Sequence, residues 1–206
     1  MSTSRRATRS AAILAGFALV SAALIAATYQ LTAERIAANQ RAAERDKLHS
    51  ILAPDAYDND LIADSIEVTA PDRLGSPEPL TVYRARRNGD PVAAILTVVA
   101  PDGYNGPIRL LVGIHRSGRV IGVRVLEHNE TPGLGDGIEN DKTDWLKAFH
   151  GKDLDDPAVQ DWAVRQDGGA YDALSGATVT SRAVVNAIRR ALSFFKANRQ
   201  RLLAPQ

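Results

Sequence analysis

The stretch Ile108-Arg-Leu-Leu-Val-Gly-Ile-His115 places Ile108, Leu110, Val112 and Ile114 at every second position. That is the period of a strand with one face in a core. The turn pair Ser117-Gly118 follows, and residues 119–126 form a second apolar run. So short a link joins antiparallel neighbours, because a parallel pair needs a crossover of about a dozen residues. Working back, residues 80–87 and 92–99 flank Asn88-Gly89-Asp90, a tight-hairpin signal. Residues 66–69 read as a further strand, and Gly75-Ser-Pro-Glu-Pro79 as a surface connection. A twisted, mainly antiparallel sheet flanked by helices is therefore expected, in the α+β class.

The C-terminal helix is legible from Val184, Ile188, Ala191, Leu192 and Phe195 at helical spacing. Arg189, Arg190, Lys196 and Arg199 lie on other faces or near its end. Thr180 or Ser181 is the expected N-cap. Upstream, Asn140 or Asp141 is expected to cap a short helix carrying Trp145 and Phe149 one turn apart, a spacing that serves burial.

The N-terminus bears on compartment. Residues 11–29 carry no charge and are mostly Ala, Leu, Ile, Val and Phe. At about 1.5 Å per residue they just cross a hydrocarbon layer about 30 Å thick. Arg5, Arg6 and Arg9 precede them, so the positive-inside rule keeps this end cytoplasmic and sends the remainder across. The expected division is a basic tail at 1–10, a membrane helix at 11–30, a stalk helix at 31–54 ended by Pro54, and one domain at 55–206. A cleavable signal peptide is the rival reading, disfavoured because the apolar run exceeds the usual core length of one and continues straight into helix.

The 25 Lys and Arg balance 24 Asp and Glu, without basic clusters except at the N-terminus and last helix, so nucleic acid is not an expected partner. There is no cysteine, which removes disulfides, thiolate metal sites and thioether cofactor links. His49, His115, His128 and His150 show no paired ligand spacing, and no metal is expected.

Two loop segments carry chemistry. Asp172-Ala-Leu-Ser-Gly-Ala-Thr-Val-Thr-Ser181 crowds four hydroxyls, on Ser175, Thr178, Thr180 and Ser181, into seven positions before the last helix. A helix N-terminus offers unpaired N–H groups and the positive end of the macrodipole, so a phosphate beside Thr178 would be stabilised there. Glu127-His-Asn-Glu-Thr-Pro-Gly-Leu-Gly-Asp-Gly-Ile-Glu139 has three glycines within five positions and must be a loop. On composition alone, the first is an ordinary loop with a helix cap and the second a strand-to-helix connection.

Asp172-x-x-Ser175-Gly176-Ala177-Thr178 resembles the flavinylation motif of membrane-anchored electron carriers in which FMN is joined to the threonine by a phosphoester. Glu130-Thr131-Pro132-Gly133-Leu134-Gly135 resembles the loop that lies against FMN in the same proteins, the G subunits of Rnf (Rsx) complexes and the C subunits of Na+-translocating NADH:quinone reductases. Gly103-Tyr104 with Gly106 is similar to a Gly-Tyr-x-Gly element before a strand in these domains. The resemblance implies covalent FMN on Thr178, with Asp172, Ser175, Gly176, Ala177, Val179 and Thr180 and the 130–135 loop around it. It implies an electron-carrier subunit of an ion-translocating complex, not catalytic alone, anchored by one span in a bacterial inner membrane with its FMN domain in the periplasm. Its partners would be the bilayer, the other subunits and a flavin transferase that installs FMN from FAD. The short anchor and length favour the Rnf member over the quinone-reductase one. Two readings of other classes stand beside it: a hydrolase using Ser175 or Thr178 with His128, which lacks a nucleophile-elbow pattern, and a membrane-tethered assembly module with no redox cofactor.

Overall fold

The computed structural model describes residues 2–204. The chain forms two compact units, Met1–Glu44 and Arg45–Gln206.

Helix α1, Ser2–His49, is a single run through the expected membrane and stalk segments. Between Phe17 and His49 there is no glycine or proline to interrupt it. Thr28 and Thr32, at the expected junction, bond back to the carbonyls of Leu24 and Thr28 at 2.8 Å each and so stay in the helix. Leu14, Phe17 and Leu19 are at least 70% exposed, and this is the one helix among the described residues long and apolar enough to cross a membrane.

The second unit is built on a five-stranded meander in the order β1-β2-β3-β4-β5, every neighbouring pair antiparallel. The strands are β1 Ser65–Val68, β2 Leu80–Arg87, β3 Asp90–Ala100, β4 Ile108–His115 and β5 Val120–Glu127. The β2–β3 hairpin closes through Asn88 and Gly89, with φ of 52° and 82°, the two positive values that a two-residue hairpin turn of this hand requires. β3 starts two residues before and ends one residue after the expected 92–99, and eight consecutive residues, 93–100, are buried.

Burial on both sides of β3 comes from two core clusters. One face carries Val82, Leu96, Leu110, Val112 and Ile114 and is covered by helix α3, Thr178–Leu203, through Val184, Ile188, Leu192 and Phe195. The short helix α2, Pro71–Leu74, adds Leu74. The other face carries Tyr83, Ala85, Ala93, Ile95 and Leu111 and is covered by Leu48, Ile51, Leu52 and Leu61. The end of α1 and the residues after it thus belong to the domain core, and the second unit begins at Arg45 rather than residue 55. Gly113 and Gly122 pair across β4 and β5 and make room for Ile51, since a Cβ on Gly113 would lie 2.3 Å from Ile51 Cγ2.

Residues 128–177 hold no long helix or strand. They run through short 3₁₀ turns at Gly135–Ile138, Trp145–Phe149, Val159–Asp161 and Arg165–Asp167. The expected helix around Trp145 and Phe149 is one such turn. Its first N–H, on Trp145, bonds the Thr143 hydroxyl at 3.2 Å rather than Asn140 or Asp141, because the Asn140 amide donates to the Val123 carbonyl at 3.0 Å. Phe149 is fully buried among Trp145, Trp162 and Tyr171, with ring centroids 4.7 to 6.1 Å away.

Candidate functional site

Three connections meet beyond one end of the sheet: the β3–β4 turn, the loop after β5 and the entry to α3. Together they enclose a cavity of about 430 Å³. Each reaches it through local backbone chemistry.

In the loop after β5, Thr131-Pro132-Gly133-Leu134 is a tight turn. Gly133 has φ +79° and the Leu134 N–H bonds the Thr131 carbonyl at 3.1 Å, the Pro-Gly order of a type II turn. Pro132 and Gly133 are exposed at its tip and do not line the cavity; they reverse the chain so that Glu130, Thr131, Leu134 and Gly135 do. The positions expected as contacts at 132 and 133 are therefore turn formers.

α3 starts at Thr178, two to three residues before the expected cap, and its N-cap is Ala177 with no side-chain bond. The hydroxyls expected to cap it are committed elsewhere. Thr180 Oγ1 donates to Glu130 Oε2, and Ser181 Oγ accepts the Leu174 N–H at 3.0 Å. The first intrahelical bond runs from the Ser181 N–H to the Ala177 carbonyl. The N–H groups of Thr178, Val179 and Thr180 thus have no partner within the helix, and all three residues line the cavity with Gly176 and Ala177. Gly176 has φ +75°, and a Cβ there would lie 2.9 Å from Leu134 Cδ2.

Asp172 and Ser175 stand apart from the lining. Both are exposed; the Asp172 carboxylate pairs with Arg165 at the surface, and its carbonyl accepts the Trp145 indole N–H at 2.6 Å. Those bonds hold the start of the motif at the surface, and Gly176 is its first residue to reach the cavity wall.

Glu130 ties the three connections together. It is 4% exposed, accepts the Thr180 hydroxyl on one oxygen and the Asn105 N–H at 3.1 Å on the other. Asn105 also donates from its side chain to Thr131 Oγ1 at 3.1 Å. Asn105 left no sequence signal, since its bond to Glu130 uses only backbone. Tyr104 beside it is 68% exposed at the lip, with Leu134 and Val179 also largely open.

Behind Glu130 lies a charged brace. Lys142 bonds Asp136 at 2.7 Å and Glu139 at 2.8 Å. The Lys142 ammonium holds both carboxyls below the usual range, and the two carboxylates push the Lys142 ammonium well above its ordinary value. Glu139 also meets His128 Nε2 at 3.1 Å, while His128 Nδ1 accepts the Glu130 N–H at 3.0 Å. Both ring nitrogens are occupied, which leaves His128 no role as a base for Ser175 or Thr178 and removes the hydrolase reading.

The cavity is of a size that takes small-molecule cofactors, about 300–1,000 Å³. Its Tyr104, Leu134, Ala177 and Val179 surfaces suit a flat aromatic ring, and the first-turn N–H groups of α3 suit a phosphate. Comparison with known proteins agrees. The FMN-binding domain profile matches residues 103–193, which span all three connections, and the profile of the RnfG N-terminal region matches residues 1–51. The chain is 50% identical over 204 residues to the G subunit of the ion-translocating oxidoreductase complex of Pseudomonas aeruginosa strain UCBPP-PA14, covering 99% of this chain and 95% of that protein. The protein belongs to the family of Rnf complex G subunits. Its counterpart in Shewanella loihica is 45% identical, covering 97% of this chain and 94% of that one, and that of Vibrio cholerae is 43% identical, covering 92% and 90%. In keeping with both profiles, an N-terminal apolar helix precedes an FMN-binding domain, and the fold is mixed α and β.

Proposed function

We propose that this Rnf G subunit carries FMN joined by a phosphoester to Thr178 and passes electrons within an ion-translocating membrane complex. One observation carries the choice of residue. Of the four motif hydroxyls, those of Thr180 and Ser181 are buried and bonded, and Ser175 lies off the cavity. Thr178 lines the cavity as Thr180 does, but among the described residues no side-chain bond occupies the Thr178 hydroxyl.

Attachment balances as transfer from FAD by a flavin transferase. The Thr178 oxygen attacks the FMN phosphorus, the new O–P bond replaces the pyrophosphate link, AMP leaves and the hydroxyl proton goes to solvent. Thr178 is then the acceptor in another enzyme's reaction. Once bound, the flavin supplies reversible electron uptake, and the chain supplies position and surroundings. The N–H groups of Thr178 to Thr180 would receive the phosphate charge, and the apolar side chains at the lip would lie against the ring. Covalent attachment keeps the cofactor from being diluted outside the cytoplasm. Arg5, Arg6 and Arg9 before the apolar helix support a cytoplasmic N-terminus with the FMN domain on the opposite side of the bacterial inner membrane. The other subunits of the complex would be its electron partners.

The test is intact mass and in-gel flavin fluorescence of denatured protein, made in a host containing the transferase. Wild type should carry the mass of one esterified FMN and fluoresce, and Thr178→Ala should do neither while remaining folded. A dark, unmodified wild type would overturn the reading in favour of an assembly module.

A further inference from the structure

Among the residues lining the cavity, Glu130 alone carries a carboxylate, and no lysine or arginine lines it. Its carboxyl is 4% exposed and meets only the Thr180 hydroxyl and the Asn105 N–H. The nearest cation along the loop, Lys142, is held by Asp136 and Glu139. A buried carboxylate without an opposing cation is costly.

We propose that Glu130 sets the redox potential of the flavin in this cavity by placing a fixed negative charge against the negative charge that reduction adds to the ring. This rests on the FMN reading above. The electron comes from the partner subunits; Glu130 exchanges no electron and forms no bond to the cofactor. It is a tuning residue whose effect is electrostatic, and the surrounding bonds fix where that charge sits. Its backbone N–H is tied to His128, one carboxyl oxygen to the start of α3 and the other to the β3–β4 turn. Gly103 and Gly135 keep the space around it clear, since a Cβ on either would fall within 2.9 Å of a Glu130 carboxyl oxygen.

Charge and shape separate cleanly by mutation. In Glu130→Gln the amide oxygen still accepts the Asn105 N–H, and the amide NH₂ donates to the Thr180 hydroxyl, which accepts as readily as it donates. Only the charge is lost. Glu130→Asp keeps the charge and shortens the reach.

The experiment is a spectroelectrochemical titration at fixed pH of full-length, detergent-solubilised wild type, Glu130→Gln and Glu130→Asp, each produced with the flavin transferase. Glu130→Gln should raise the reduced-to-oxidised ratio at a given potential by about tenfold, a shift of about 59 mV for a one-electron couple. Glu130→Asp should stay close to wild type. An unchanged ratio in Glu130→Gln overturns the proposal, as does an equal shift in both variants or failure of both to take up flavin, which would make Glu130 a purely structural residue. Covalent flavin is scored separately by mass, so a dark wild type sinks the FMN reading itself, whereas a loaded wild type with unmoved variants sinks only the role of Glu130.

Discussion

Gly135→Ala tests the brace between Glu130 and α3 directly. A methyl group at residue 135 would lie 2.8 Å from Glu130 Oε2, 2.9 Å from Glu130 Cβ and 3.1 Å from Thr180 Oγ1. The far end of a free side chain would swing away, but this one is held by the Thr180 hydroxyl and the Asn105 N–H, and its Cβ moves only with the backbone. Overpacking of a fixed site costs about 1–3 kcal/mol. If the loop yields by breaking the Thr180 bond, a contact to a carboxylate worth about 1.5–3 kcal/mol is lost instead. Either route gives about 2 kcal/mol. For a domain of this size each kcal/mol lowers Tm by about 2–4 °C, so the expected fall is about 4–8 °C. Tryptophan fluorescence on heating reads this without interference from α1, because the two tryptophans, Trp145 and Trp162, both lie in the second unit. Gly133→Ala is the control: nothing lies within 4 Å of its Cβ, and its φ of +79° costs a non-glycine residue about 1–2 kcal/mol. A Gly135→Ala protein that melts within about 1 °C of wild type would refute the packing argument.

Three further outcomes follow from the same geometry. Gly113→Ala should destabilise by about 1–3 kcal/mol through its clash with Ile51, and Ile51→Ala should relieve part of that, so a double-mutant cycle by chemical denaturation should show coupling of about 0.5–3 kcal/mol; strict additivity would contradict the contact. Asp136 and Glu139, with folded pKa values lowered by Lys142, contribute stability that is present above the ordinary carboxylate range and lost as pH falls through their folded values; Lys142, raised, contributes below its ordinary value and loses this only as pH rises through the folded one. Lys142→Met should therefore flatten the acid limb of a stability-against-pH curve, and an unchanged limb would dismiss the brace. Asp172→Ala should change stability by less than about 1 kcal/mol, since its pair with Arg165 is solvent-exposed, and a large fall in Tm would show that the motif aspartate is structural.

How much of this was legible in the sequence depended on whether a residue's partner was local. Alternation in residues 108–115 gave a strand with its observed ends, and Asn88-Gly89 gave a hairpin, because period and turn chemistry are properties of neighbours. The sequence of the continuous α1 reads as two pieces because a change of composition near residue 31 resembles a boundary, although nothing there breaks a helix. The Gly113 and Gly122 pair was opaque, since the side chain it admits, Ile51, is far away in sequence. Thr180 and Ser181 look like caps by type, but tertiary bonds to Glu130 and Leu174 outcompete that local role. Residues 128–177 carry no period because 3₁₀ turns and side-chain bonds, rather than a regular ladder, hold them.

The two ends of α3 differ in a way that bears on what the site is for. A helix leaves several carbonyls unpaired at one end and several N–H groups at the other, and each needs a partner. At the C-terminal end the chain supplies its own. Arg84 and Arg86 on β2, 5% and 8% exposed, reach the carbonyls of Leu203 and Ala204 and share Asp64 as counter-ion. Two buried guanidinium groups are a costly way to close a helix, and they show that this fold does not leave that end to solvent. At the N-terminal end the opposite choice is made. The cap position is Ala177, which has no acceptor, and the two hydroxyls close enough to serve are turned to Glu130 and Leu174. The groups left open are those of Thr178, Val179 and Thr180, all on the wall of one cavity. An anion from outside the chain would complete them, and a phosphate esterified to Thr178 would bring that anion to the first residue of the helix.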